Sequence, residues 1–195
     1  MLRFFRLMLF VVALSLPVFW FYQAWQNALG PDPGKVLVER LGVGGVVLLL
    51  LTLSMSPLKQ LTGSGLALAL RRQLGLWCFA YALLHGVAYL IFINGLSVSQ
   101  LLADLTERPY IIVGLAAWLI LLALAVTSNK RSMRALKRRW KTLHRLIYPA
   151  LVLVMLHMLW IVRADLSEWA LYAAVGAVLL VWRLPWRRAK SAVNV

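Results

Sequence analysis

Cysteine is nearly absent from this 195-residue chain, with Cys78 standing alone. One thiol excludes an internal disulfide, and with it a CxxCH haem attachment, a thiolate zinc site or an iron–sulfur cluster held by this chain alone. Charge is also scarce, at 14% of residues against about 25% in ordinary globular proteins. Hydrophobic residues make up 63% and the mean hydropathy is +0.82. A water-soluble domain of this size could not hide that much apolar surface, so the repeated uncharged runs point to a polytopic helical membrane protein. Each span needs about 20 residues, which leaves room for six spans and short loops but for no globular catalytic or nucleotide-binding domain.

Acidic residues are the scarcest charge, six against 21 Lys and Arg, for a net charge of +15. In a soluble protein that balance would suggest nucleic acid. Its placement argues against nucleic acid and for a lipid bilayer. All six acids (Asp32, Glu39, Asp104, Glu107, Asp165, Glu168) fall in three connections, which alternate with basic connections lacking any acid. The basic set is Arg3 and Arg6; Lys59, Arg71 and Arg72; the eight from Lys130 to Arg145; and Arg183, Arg187, Arg188 and Lys190. By the positive-inside rule this side is cytoplasmic and carries both termini.

The expected fold is an all-α, six-transmembrane-helix bundle forming one domain over residues 1–195. Its spans lie at about 7–25, 36–55, 74–93, 110–126, 143–162 and 169–184. Arg3, Arg6 and the apolar run after them resemble a signal peptide, but no A-x-A site follows and Trp20, Phe21, Tyr22 and Trp25 form an aromatic belt, so an uncleaved first helix is expected. Gly30-Pro31-Asp32-Pro33-Gly34, Ser56-Pro57, Arg108-Pro109 and Leu184-Pro185 mark the span boundaries. The sequence shows no internal repeat.

Three histidines carry the chemistry, because an ionisable side chain at membrane depth is functional by default. His85 lies 13 residues beyond Arg72, roughly 20 Å along a helix, and His157 lies 12 beyond Arg145, roughly 18 Å. Both spans run outward, so the two imidazoles reach the same depth in the outer half of the bilayer. With no carboxylate in the membrane they cannot form a proton relay with acids, but they can ligate one metal from opposite sides. Bis-histidine haem suits the arrangement: the porphyrin is an apolar plate and its iron needs only two axial nitrogens. Around His85 the residues Cys78, Tyr81, Ala82, Ala88, Tyr89 and Phe92 mix small and aromatic groups. The alternative is that both histidines merely hydrogen-bond to neighbouring helices.

His144, 13 residues before His157, has the spacing of one helix serving two stacked haems. Against that, the two residues lie about 140° apart on an ideal helix, and Arg71 and Arg72 hold the matching depth on span 3. Pro149 between them can shift the phase through a kink. An interfacial histidine bonded to water or lipid phosphate is the other reading. The basic loop follows from topology, with an anionic lipid, a flavin phosphate or an acidic partner as further possibilities. Met155, Met158 and Cys78 are read as packing residues, and Trp160, Arg163 and Trp169 as interface anchors, the alternative for these last three being that they border a haem edge or pair with its propionates.

At Arg72-Gln73-Leu74-Gly75-Leu76-Trp77-Cys78-Phe79-Ala80 leading to His85, at Arg108-Pro109-Tyr110, and at Arg139-Trp140, Leu143-His144 and His157, the chain resembles the MsrQ (YedZ) family. These are the haem-binding membrane subunits of the periplasmic methionine sulfoxide reductase system, within the ferric-reductase-like transmembrane superfamily. The resemblance implies b-type haem, one or two, on the positions of His85, His144 and His157, together with FMN, for which no residues can be named. It implies electrons from the quinone pool or a flavin donor, and delivery to a periplasmic molybdenum-containing subunit that holds the catalytic site. The location implied is the bacterial inner membrane. The competing expectation is a transmembrane ferric reductase acting directly on external metal.

Overall fold

The computed structural model describes residues 1–162 and 165–183. Arg163, Leu184, Pro185, Arg187, Arg188 and Lys190 lie outside the described residues. Every element among the described residues is helical: α1 (Leu2–Trp25), α2 (Pro33–Thr62), α3 (Gly65–Ala88), α4 (Val98–Glu107), α5 (Pro109–Val126), α6 (Lys130–Leu136), α7 (Arg138–His144), α8 (Ile147–Ile161) and α9 (Ser167–Val181). A π-helical turn, Tyr89–Ile93, continues α3. Local chemistry sets the starts and stops. Asp32 caps α2 by accepting from the Lys35 N–H, Pro33 occupies its first turn, and Gly63 ends it in the left-handed conformation at φ +69°. Ser64 and Ser97 cap α3 and α4 in the same way.

Five helical stretches are long and apolar enough to cross a membrane: Leu2–Trp25, Pro33–Thr62, Gly65–Ile93, Pro109–Val126 and Arg138–Ile161. The expected sixth, α9, is apolar but has 15 residues. At 1.5 Å per residue it reaches about 22 Å, short of a hydrocarbon core of about 30 Å. The centre of the bundle is α2, with Leu37, Leu41, Leu49 and Leu53 wholly buried. It packs against α3, α9 and α1, while α5 pairs with α8 and touches α3. By contrast α1 exposes Leu7, Phe10, Val18 and Phe19, the apolar outer face that a lipid-bathed helix requires.

Several expected boundaries move. Ser56-Pro57 does not end the second span, because α2 runs through Pro57 to Thr62. A proline inside a helix leaves the carbonyl four residues earlier without its N–H, and here the Leu53 carbonyl instead accepts from Arg183 Nη2. The same device holds at Pro17 in α1, where the freed Ala13 carbonyl accepts from the Tyr81 hydroxyl at 2.9 Å. Pro149 breaks the fifth span, which divides into α7 and α8 around Arg145 and Leu146. The connection after span 3, read as loop, contains α4. Its amphipathic ten residues are too short to register as a span yet bury Asp104.

Side-chain bonds tie the basic residues to one end of the bundle. Arg6 Nη2 donates to the Ala69 carbonyl, Gln73 Nε2 donates to the Arg6 carbonyl, and Trp182 Nε1 donates to Gln60 Oε1. At the other end Arg40 Nη1 donates to Gln23 Oε1 at 2.7 Å, joining α1 and α2 where the acidic connection between them begins.

Candidate functional site

His85 and His157 meet between α3 and α8, their ring centroids 6.3 Å apart and their planes perpendicular. Neighbouring helices hold each ring in the same way. His85 Nδ1 is 2.8 Å from the Val38 carbonyl on α2, and His157 Nδ1 is 2.7 Å from the Tyr110 carbonyl on α5. A carbonyl only accepts, so each Nδ1 carries the proton and donates it, which leaves each Nε2 with a lone pair. Both rings also lie against a glycine one turn past the accepting carbonyl. A Cβ at Gly42 would come 3.0 Å from His85 Nδ1, and one at Gly114 would come 2.7 Å from His157 Nδ1.

The two clamps correspond number for number. Carbonyl and histidine are 47 residues apart in both, and Tyr110, Gly114 and His157 each stand 72 residues after Val38, Gly42 and His85. The sequence alone shows no repeat because few other positions agree, but the fold carries one at the histidines.

This geometry fits a metal held between two imidazoles. A metal–nitrogen bond of about 2 Å plus a ring radius of about 1.1 Å on each side gives a ring separation of about 6 Å. Fixing the tautomer through a backbone carbonyl is the usual outer support of a metal-bound histidine. Among the described residues no group of three or more His, Cys, Asp or Glu converges. Two nitrogens alone suit an iron whose other four positions a porphyrin fills, and do not suit a bare ion. The hydrogen bonds expected under the alternative reading are therefore present, but they occupy only Nδ1.

His144 lies elsewhere, at the basic end, stacked on Trp140 with ring centroids 3.9 Å apart. Its Nδ1 donates to the Trp140 carbonyl at 3.1 Å, and its Nε2 has only a long 3.4 Å contact with Ser128 Oγ, whose hydroxyl is already donated to Leu124. Cys78 is buried and its thiol points at the Gly45 carbonyl, the packing role expected of it. Trp169 Nε1 donates to the Met155 carbonyl and ties α9 to α8.

Sequence reasoning missed a polar network beside the pair. Asp104 is 2% exposed and accepts from the Tyr89 hydroxyl, from Gln100 Nε2 at 2.9 Å and from Arg108 Nε at 3.3 Å. Tyr89 follows His85 by one turn and opens the π-helical segment. It also missed Gly42 and Gly114. Their equal spacing to the two histidines was a usable signal.

A family model described as "Ferric reductase like transmembrane component" matches residues 41–155, a stretch that includes His85 and His144 and ends just before His157. Over 174 residues the chain is 47% identical to the "Protein-methionine-sulfoxide reductase heme-binding subunit MsrQ" of Xanthomonas axonopodis pv. citri (strain 306), covering 88% of this chain and 79% of that protein. The chain belongs to the MsrQ family of ferric-reductase-like transmembrane proteins. No solved structure matches it. The family match spans α3 from its RRQLGLWCFA run to His85.

Proposed function

We propose that the chain is a b-type haem electron-transfer subunit, passing electrons through the bacterial inner membrane to a periplasmic, molybdenum-containing methionine sulfoxide reductase. The observation that carries this reading is the pair of imidazoles 6.3 Å apart, each with Nδ1 committed to a carbonyl and Nε2 left with its lone pair. His85 and His157 would hold the haem, which would supply reversible one-electron chemistry there.

The chain's own part is to hold. Val38 and Tyr110 fix the tautomers, and Gly42 and Gly114 admit the rings. In this reading residues 1–195 form one six-span domain, α9 being the sixth, with both termini cytoplasmic. His144, at the opposite end, serves electron entry from quinol or a flavin, either as ligand of a second haem or beside FMN. The site that reduces methionine sulfoxide lies on the partner chain.

Reconstitution in vesicles tests the reading. With a quinol or a reduced flavin as donor, haem should reduce, then reoxidise when the periplasmic enzyme and a methionine sulfoxide are added. Haem that ignores that enzyme and reoxidises with external ferric chelates would replace this reading with direct ferric reduction.

A further inference from the structure

The basic end of the bundle holds an unneutralised pair of arginines. Arg183 enters from the end of α9 and lays its guanidinium over the Tyr148 ring, 5.2 Å from the centroid. Its Nη2 donates to the Leu53 carbonyl that Pro57 frees, while its Nη1 is buried with no hydrogen-bond partner among the described residues. Arg71 is half-buried on α3 and donates from Nη1 to Ser56 Oγ at 3.2 Å. Leu53 and Ser56 share one turn of α2, so both guanidiniums are anchored to the same patch of that helix.

No carboxylate answers them. The ion pairs among the described residues are Lys35 with Glu39 and Arg108 with Asp104, both at the other end. None of the six Asp and Glu residues of the sequence falls in a basic connection. A buried guanidinium nitrogen without an acceptor is costly, and two cations side by side add repulsion. The described residues thus supply no anion to meet these two cations.

We propose that Arg71 and Arg183, with the Ser56 hydroxyl, form a binding site for a phosphate group at the level where helix ends meet lipid headgroups. Guanidinium forks match phosphate oxygens with paired, charge-assisted hydrogen bonds, and the free Nη1 supplies one of the donors. The phosphate can belong to an anionic phospholipid or to a flavin mononucleotide. The inference stands apart from the haem reading, and only the flavin outcome would supply that reading's electron donor.

The test uses the full chain in phosphatidylcholine nanodiscs, comparing wild type with R183Q, R71Q and R72Q, the last altering an exposed neighbour. Thermal stability and binding are followed on adding FMN or riboflavin, and on replacing part of the lipid with phosphatidylglycerol. Stabilisation by FMN but not riboflavin assigns a nucleotide phosphate. Stabilisation by phosphatidylglycerol without an FMN response assigns a lipid headgroup. In either case R183Q should bind about ten- to hundredfold more weakly and R72Q as wild type, with the haem spectrum unchanged in both. R71Q carries the same expectation should R183Q fail to fold. No response to any probe, or equal responses in wild type and both cluster variants, would overturn the proposal, and an intact haem spectrum would separate that failure from failure of the haem reading.

Discussion

In the α2–α3 pair, His85 donates to the Val38 carbonyl and rests against Gly42; in the α5–α8 pair, His157 donates to the Tyr110 carbonyl and rests against Gly114. The opposite ends of the same pairs differ. Ser56 receives Arg71 from α3, whereas Ser128, its counterpart 72 residues on, faces His144. Beyond His85 the helix loosens into a π turn that reaches the Asp104 network, while beyond His157 α8 soon ends. The agreement of the histidine ends is what the proposed haem would require, since a metal held between two imidazoles needs the same donor twice. The basic ends carry no such demand and hold different chemistry.

The largest expected effect comes from Asp104→Asn, in the network that joins Tyr89 beyond His85 to Arg108 at the start of α5. It removes the charge that three donors serve and should cost about 1.5–3 kcal/mol in detergent-solubilised unfolding. The Tyr89 hydrogen bond holds the Asp104 carboxyl below its ordinary 3.8. A depressed value means that the carboxylate stabilises the fold above 3.8, and that this contribution disappears as pH falls through the lower folded value. The gap between wild type and variant should thus be full at neutral pH and shrink below 3.8. A gap independent of pH would show that the charge is not what matters.

The glycine pair sharpens the comparison. Alanine in a helix interior gains about 1 kcal/mol over glycine, while overpacking costs about 1–3 kcal/mol. At Gly114 the new Cβ meets His157 at 2.7 Å and the cost should win, with haem lost during purification; at Gly42 the 3.0 Å approach can relax, leaving haem content near wild type. Haem per chain, measured side by side, checks the order. The smallest effect is expected from Tyr81→Phe, where loss of the cap on the Ala13 carbonyl should cost about 1 kcal/mol without touching the haem spectrum.

Much of this is legible in the residues. Apolar runs indicate an all-helical membrane chain, and counting from the flanking arginines places His85 and His157 at a common depth. What stays hidden is tertiary. Pro57 reads as a stop unless Arg183, far along the chain, is known to cap the carbonyl it frees. The α4 helix has too few residues for a span, so its buried Asp104 reads as an exposed loop acid. In the 72-residue correspondence the equal Gly-to-His spacing was readable, but the carbonyls that complete it were not, because side-chain identity does not report on them.

The central claim is that one metal sits between the two Nε2 atoms. Its most direct test is the low-temperature electron paramagnetic resonance spectrum of the oxidised protein, with haem quantified per chain, in wild type, His85→Ala and His157→Ala. The account predicts that either substitution alone removes one haem's worth of the wild-type low-spin ferric signal or converts it to high spin. A low-spin signal and haem content unchanged from wild type in both variants would contradict it.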